Sequence, residues 1–283
     1  MSEQTRLGCV SYLNTEPLVE GVDVLEGVEL VRVVPSKLIG TLEAGQVDVA
    51  LVSVIDAARA SAAVTLLRCG MIGCDGPTLT VRLFSAVPPE RITRVHADTD
   101  SHTSVELCRL LLRERYGVEA ELVDYDARER MAVARRADEA DGSGGDARPA
   151  EGEWPEAMLL IGDKVVTDSP PAVRYPHQLD LGEAWRELTG EPFVYAVWAC
   201  LSERAGEAVV RRARDLLDRQ RRHNRTRLDW IATNRAVEHR WPADLARKYL
   251  GEHLRYELDE RSERGLRRFY RMVGQGEPVF DAS

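Results

Sequence analysis

The side chains of this sequence best placed to meet a ligand are mostly uncharged. "VSYLNTEPL" (10–18) passes from an apolar strand end into Asn14, Thr15 and Glu16. The stretches "VSVID" (52–56), "GCDGPTLT" (73–80), "DTDSHTS" (98–104) and "IGDK" (161–164) repeat that plan, with small hydroxyls, glycines and backbone amides at strand ends or helix starts. Such groups bind carboxylates without Lys or Arg, because a helix N-terminus offers free N–H donors and the positive end of a dipole. Thr103 and Ser104 open a helix and suit this, although a hydroxyl there also serves as a plain cap. Gly73 and Gly76 allow close backbone approach, or merely a tight turn. Asp163 has two open readings, substrate ligand or turn cap. An acid–base group is scarce: His102 stands out, with Glu16 and Asp56 as carboxylate alternatives.

The elements around these loops read as an α/β chain. "RLGCVSYL", "VELVRVVP" and "VDVALVSV" are strands, the last a continuous apolar run of the kind covered on both faces. Ser36 is the expected cap of a helix over "KLIGTLEAG", with Gly45 as its stop. "TLTVRLFSAVP" (78–88) reads as one long strand, "TRVHADT" as another, and "TSVELCRLLLRERYG" as a helix ending at Gly117. "PFVYAVWACL" (192–201) is a second long strand, and from Glu203 onward the pattern is helical over 203–223, 226–239, 243–254 and 259–273. Two long strands, one between two α/β units and the other between the second unit and the helical tail, predict a hinge joining two lobes, 1–88 plus 191–283 and 89–190, with the ligand in the cleft. "DEADGSGGDARPAEGEWP" (138–155) has little to bury and reads as a mobile surface insertion.

Composition narrows the function. The 283 residues carry 38 basic and 47 acidic side chains, a net charge of −9, which disfavours a general nucleic-acid binder. The Arg-rich stretch 211–227 lacks interleaved aromatics and reads as a solvated helix face. Neither a signal peptide nor an 18-residue apolar run is visible, so a cytoplasmic protein without a membrane partner is expected. The five cysteines form no CxxC pair and the histidines no ligand spacing, so neither metal nor cofactor is expected.

Six stretches together resemble the chorismate dehydratases of the futalosine route to menaquinone: "VSYLNTEPL", "DVALVS", "GPTLTVRLFS", "TSVELCRLLL", "LLIGD" and "DLGEAWRELTGEPFVYAVW". The tail "LRYELDERSERGLRRFY" (254–270) adds to the likeness, which spans nearly the whole chain apart from 138–155. The resemblance implies a two-lobed type II periplasmic-binding-protein-like fold with a helical C-terminal tail, and loss of water from chorismate to give 3-[(1-carboxyvinyl)oxy]benzoate. It places the catalytic residue at Asn14, the hydroxyl of the Gly-Pro loop at Thr80 where Ser is expected, and Thr103 and Ser104 at the second-lobe helix start. Thr15, Ser53 and Asp163 complete the expected substrate contacts. His102 stands where the family pattern has Arg. The implied elimination is substrate-assisted, with the enolpyruvyl carboxylate taking the proton. Two other readings share the fold: a small-carboxylate binding protein and the naphthoate synthase of the same pathway.

Overall fold

The computed structural model describes residues 4–126 and 154–282. The surface insertion expected over 138–155 therefore lies almost wholly outside the described residues.

Two sheets carry the fold. The first runs β11-β4-β10-β3-β1-β2, comprising β1 (Thr5–Cys9), β2 (Val28–Arg32), β3 (Val49–Ser53), β4 (Val64–Cys74), β10 (Phe193–Leu201) and β11 (Leu254–Arg255). The second runs β7-β6-β8-β5-β9, with β5 (Val81–Ser85), β6 (Arg94–Asp98), β7 (Glu121–Tyr125), β8 (Ala157–Ile161) and β9 (His177–Asp180). β1 pairs in parallel with β2 and β3, whereas β10 is antiparallel to both β3 and β4. Every residue of β3 and of β8 is buried, as their unbroken apolar sequences require.

Helices α1 (Glu16–Val19), α2 (Leu38–Glu43), α3 (Val54–Arg59), α4 (His102–Tyr116), α5 (Lys164–Thr167) and α6 (Leu181–Thr189) follow strand ends. The tail holds α7 (Ala208–Arg225), α8 (Leu228–Glu238), α9 (Ala243–Lys248), a π turn (Tyr249–His253) and α10 (Glu260–Met272). The expected tail helices are thus present, apart from the first turn read at 203. Along α7 the arginines pair with neighbouring acids, Arg214 with Asp215 and Arg221 with Asp218.

Two expectations change. The stretch 78–88 is not one strand running between sheets: only 81–85 is extended, and it pairs with β8 and β9, not with β10. β10 instead lies between β3 and β4, and β4 is the strand that the sequence reading missed. The chain crosses at 75–80, where Pro77 lacks an N–H and Leu79 takes φ 66°. Ser36 caps nothing: it lies in a 3-10 turn, Pro35–Lys37, and α2 begins without a side-chain cap.

The crossings are held by the motif "DLGEAWRELTGEPF". Asp180 caps α6 by accepting from the Gly182 and Glu183 amides, and it also accepts from the Thr78 and Leu79 amides at 3.0 and 2.7 Å. One carboxylate thereby fixes the outgoing crossing to the helix before the return. A Cβ at Gly182 would stand 2.5 Å from Cys74 Sγ and 2.7 Å from the Gly76 carbonyl, so this close approach needs glycine. On the return, Trp185 Nε1 donates to the Pro192 carbonyl at 3.1 Å, and the Trp185 ring meets Phe193 and Phe269 edge-on.

Candidate active site

A cavity opens where the carboxyl ends of β1 and β3 face the start of α4. Its volume is about 80 Å³. Its lining includes Tyr12, Asn14, Ser53, Thr80, Ser104 and Asp100.

Asn14 sits in the 3-10 turn Leu13–Thr15 that ends β1's run. Leu13 is fully buried and packs with Ala232, Trp241 and Tyr249 of the tail. Its amide donates to Asp163 Oδ2 at 3.3 Å. Asp163 also accepts from Trp241 Nε1 at 3.0 Å and meets His239 Nδ1 at 3.1 Å. It is therefore the clamp that holds the Asn14 turn, and it stands outside the cavity lining. Thr15 is fully buried and donates to Asn14 Oδ1 at 3.2 Å, which orients the amide.

Thr80 Oγ1 and Tyr249 Oη lie 2.7 Å apart, and Tyr249 also reaches Asn14. Burial holds the Tyr249 phenol well above its ordinary range, so it acts as a neutral hydrogen-bonding group. Tyr249 opens the π turn, an irregularity often found at functional sites. On the opposite wall, Ser53 caps α3, and its Oγ lies 2.8 Å from Thr103 Oγ1. Thr103 is fully buried behind the lining. The cap of α4 is Ser101, not Thr103 or Ser104, and its Oγ accepts from the Ser104 amide at 3.2 Å. Ser104 faces the cavity.

His102 turns to Asp56, with Nδ1 at 2.6 Å from Oδ1. The hydrogen bond to that carboxylate raises its pKa above the usual range, and it is not among the described lining residues. Glu16 points to the far side of α1, into an outer groove with Glu20, Arg32, Arg235 and His239. Of the expected contacts, Asn14, Ser53, Thr80 and Ser104 share the cavity, while Thr15, Thr103 and Asp163 support them from behind. Tyr12, Asp100 and Tyr249 were not singled out in the sequence. Their hydrogen-bonding side-chain partners include ones 64 to 169 positions away in the chain, beyond any local pattern.

Chemically, the lining offers one amide and several hydroxyls, and Asp100 is the one charged side chain among its described residues. The five cysteines are buried, and burial pushes the Cys74 and Cys108 thiols up to about 12, so they remain protonated. No group of three or more His, Cys, Asp or Glu able to hold a metal occurs among the described residues. No helix among them is long and apolar enough to cross a membrane.

Two sheets closing on one cavity define the class: an α/β fold of the periplasmic-binding-protein type. Solved structures agree. A protein of Archaeoglobus fulgidus superposes with a TM-score of 0.67 at 16% identity, covering 96% of this chain and 97% of that one. A Candida albicans protein, described as having the generic periplasmic binding protein fold, gives 0.61 at 10% over 96% and 90%. The aliphatic sulphonate binding protein SsuA of Escherichia coli gives 0.58 at 14% over 100% and 95%. Within that class the chain belongs to the menaquinone biosynthesis family, whose model matches residues 5–142 and 143–275. It is 29% identical over 283 aligned positions to the chorismate dehydratase of Thermus thermophilus, across 95% of this chain and 94% of that protein. The chain is thus an enzyme of that family.

Proposed function

We propose that this enzyme dehydrates chorismate to 3-[(1-carboxyvinyl)oxy]benzoate in the cytoplasm. The observation that carries the reading is a cavity lined mostly by neutral donors, with Asp100 its one described charged side chain and no described Lys or His, in a chain of this family. Chorismate needs little more. Its C3 proton is conjugated through the ring diene to the ring carboxylate, so its removal gives a delocalised anion. Expulsion of the C4 hydroxyl then yields an aromatic ring. The enolpyruvyl carboxylate hangs from C3 and can fold back to take that proton.

The enzyme's part is orientation and charge stabilisation. Asn14, oriented by Thr15, donates to the reacting arm or the departing hydroxyl without adding charge beside a dianion. Thr80, held by Tyr249, and Ser53 and Ser104 at two helix starts offer donors to the carboxylates. The two sheets, joined through 75–80 and 190–192, would part to admit the substrate. The test is incubation with chorismate, followed by chromatography and mass spectrometry for the aromatic product. A binding protein of this fold would retain chorismate and return it unchanged.

A further inference from the structure

A second cavity shares a wall with the candidate active site: Leu254 lines both. It is formed by the end of α7, the start of α8, the π turn, β11 and the start of α10, and its volume is about 340 Å³. Small-molecule sites span roughly 300–1,000 Å³. Leu228, Leu250 and Leu254 give it apolar walls, and Arg221, Arg225 and Arg255 bring three guanidiniums to it. The Arg-rich stretch 211–227 is therefore not wholly a solvated face, because its end lines a concave site.

These arginines are thinly compensated. Arg221 is 8% exposed and donates to Asp218 Oδ1 at 2.8 Å. Its Nη1 and that of Arg225 lie 3.6 and 3.7 Å from the same oxygen of Glu257, beyond ordinary hydrogen-bond reach. Arg255 Nη1 donates to the Glu252 and Leu254 carbonyls at 3.0 Å and forms no ion pair among the described residues. The other acids of the wall are engaged elsewhere. Asp75 meets Arg261 and Arg186 at 2.9 and 3.0 Å, and Asp259 caps α10. Glu257 is left as a loose carboxylate between two guanidiniums, on a side chain 59% exposed that can swing into solvent.

We infer that this cavity is a second binding site, for a small organic carboxylate with an apolar body. The ligand's carboxylate takes the place of Glu257 between Arg221 and Arg225, at hydrogen-bonding range, and its body rests on the three leucines. Guanidinium forks match a carboxylate in this way, with two parallel N–H donors. One carboxylate replaces another, so the charge between the arginines does not change. The site also bears on the reaction. Leu250 and Gly251 belong to the π turn that Tyr249 opens, and Tyr249 holds Thr80 and reaches Asn14. An occupant therefore acts on the turn that orients the candidate active site. Binding stands by itself, whereas the effect on rate rests on the proposed function.

The test titrates the enzyme with 3-fluorobenzoate, followed by calorimetry and fluorine NMR. The double variant Arg225→Ala, Arg255→Ala should bind it about tenfold more weakly than wild type, the scale of lost charge-assisted hydrogen bonds. Both side chains are exposed, so the variant should fold and turn over chorismate normally when the probe is absent. Glu257→Gln should change binding in the opposite direction, tightening it about threefold, because the ligand no longer competes with a surface carboxylate. Asn14→Asp, which repels anions from the other cavity, should leave this binding as it is. On wild type the probe should alter kcat on chorismate and not KM alone, and the double variant should lose that effect on kcat. Binding unchanged in the double variant, or lost in the Asn14→Asp enzyme, would overturn the inference. So would equal displacement of the probe by the same concentration of inorganic phosphate, the mark of an adventitious anion. A wild-type enzyme that leaves chorismate unchanged would overturn the functional reading alone, and calorimetry would still decide the site.

Discussion

Glu16 and Asp100 are both buried acids tied to one motif, yet their surroundings differ. Glu16 is 4% exposed, meets Arg32 at 3.2 Å, and has Arg235 and His239 each at 3.8 Å. Burial alone would raise its pKa, but the hydrogen bond from His239 and the charges of Arg32 and Arg235 outweigh it and hold the carboxyl below the usual range. Asp100 shares one ammonium with a second carboxylate and faces the cavity. The first acid is enclosed by cations away from the cavity; the second belongs to the cavity lining, where a substrate would stand. Nearness to Asn14 in sequence points to Glu16, whereas position in the cavity lining points to Asp100.

The contrast can be tested from its largest consequence down. Removing the donor on the cavity side should cost most: Asn14→Ala is expected to lower kcat by about 10²-fold, the scale of one preorganised donor. Asn14→Asp should be at least as damaging, because it sets a like charge against a dianion. Steady-state kinetics on chorismate checks both, and an Asn14→Ala enzyme within a few-fold of wild type would remove Asn14 from the reaction. Next, Thr80→Val and Tyr249→Phe should each lower kcat/KM by about tenfold, the effect of a lost hydrogen bond. Because the two hydroxyls act as one unit, the double variant should be little worse than either single one. Additive losses would show that they act separately.

On the outer side, Glu16→Gln should leave kcat within about tenfold, since it lacks the acid–base role worth 10²–10⁴. Its effect should appear in stability, at about 1 kcal/mol, because the partly exposed Arg32 loses its carboxylate while Arg235 keeps Glu20 and His239 keeps Asp163. Folding depresses the Glu16 pKa, so the stability from its charge is present above the ordinary 4.5 and lost as pH falls through the folded value. Urea titrations at pH 7 and below pH 4 should show the deficit shrinking. A dead Glu16→Gln enzyme that still binds chorismate would reverse the comparison and make Glu16 the base. The smallest effect belongs to His102→Gln, where the lost partner is a half-exposed ring. Here folding raises the pKa, so the pair's contribution is full below 6.5 and fades as pH rises through the folded value. The variant's lower Tm at pH 6 should converge with wild type at alkaline pH.

Much of the fold was legible because apolar runs, Gly stops and a helical tail are local signals. The cavity hydroxyls were legible for a related reason: Ser53 and Ser104 stand where strands end and helices begin. β4 escaped because Arg68, Gly70 and Gly73 interrupt its apolar run. At Gly73 a Cβ would come within 2.5 Å of the Phe193 carbonyl, so the interruption is a close approach between strands. The outgoing crossing was misplaced because Asp180, about a hundred positions later, ties down Thr78 and Leu79. Asp163 was read as a ligand or a cap, but its partners, His239 and Trp241, come from a tail whose docking no local pattern reveals. The Asp98–Asp100–Lys164 cluster was equally hidden, since an acid before a helix looks like any cap.

The position of β10 bears on how the molecule is made. β3 and β4 follow one another in the chain, but β10 lies between them in the sheet. Until residues 193–201 leave the ribosome, β3 and β4 each present an unpaired edge, and the first sheet exists as two pieces. At ordinary synthesis rates that interval is on the order of ten seconds. The second sheet, between the crossings, can form in the meantime, whereas the first must wait for a long-range pairing, the slow kind of contact to make. A nascent chain stalled before β10 should therefore bind chaperones through the edges of β3 and β4, and release them once the strand arrives.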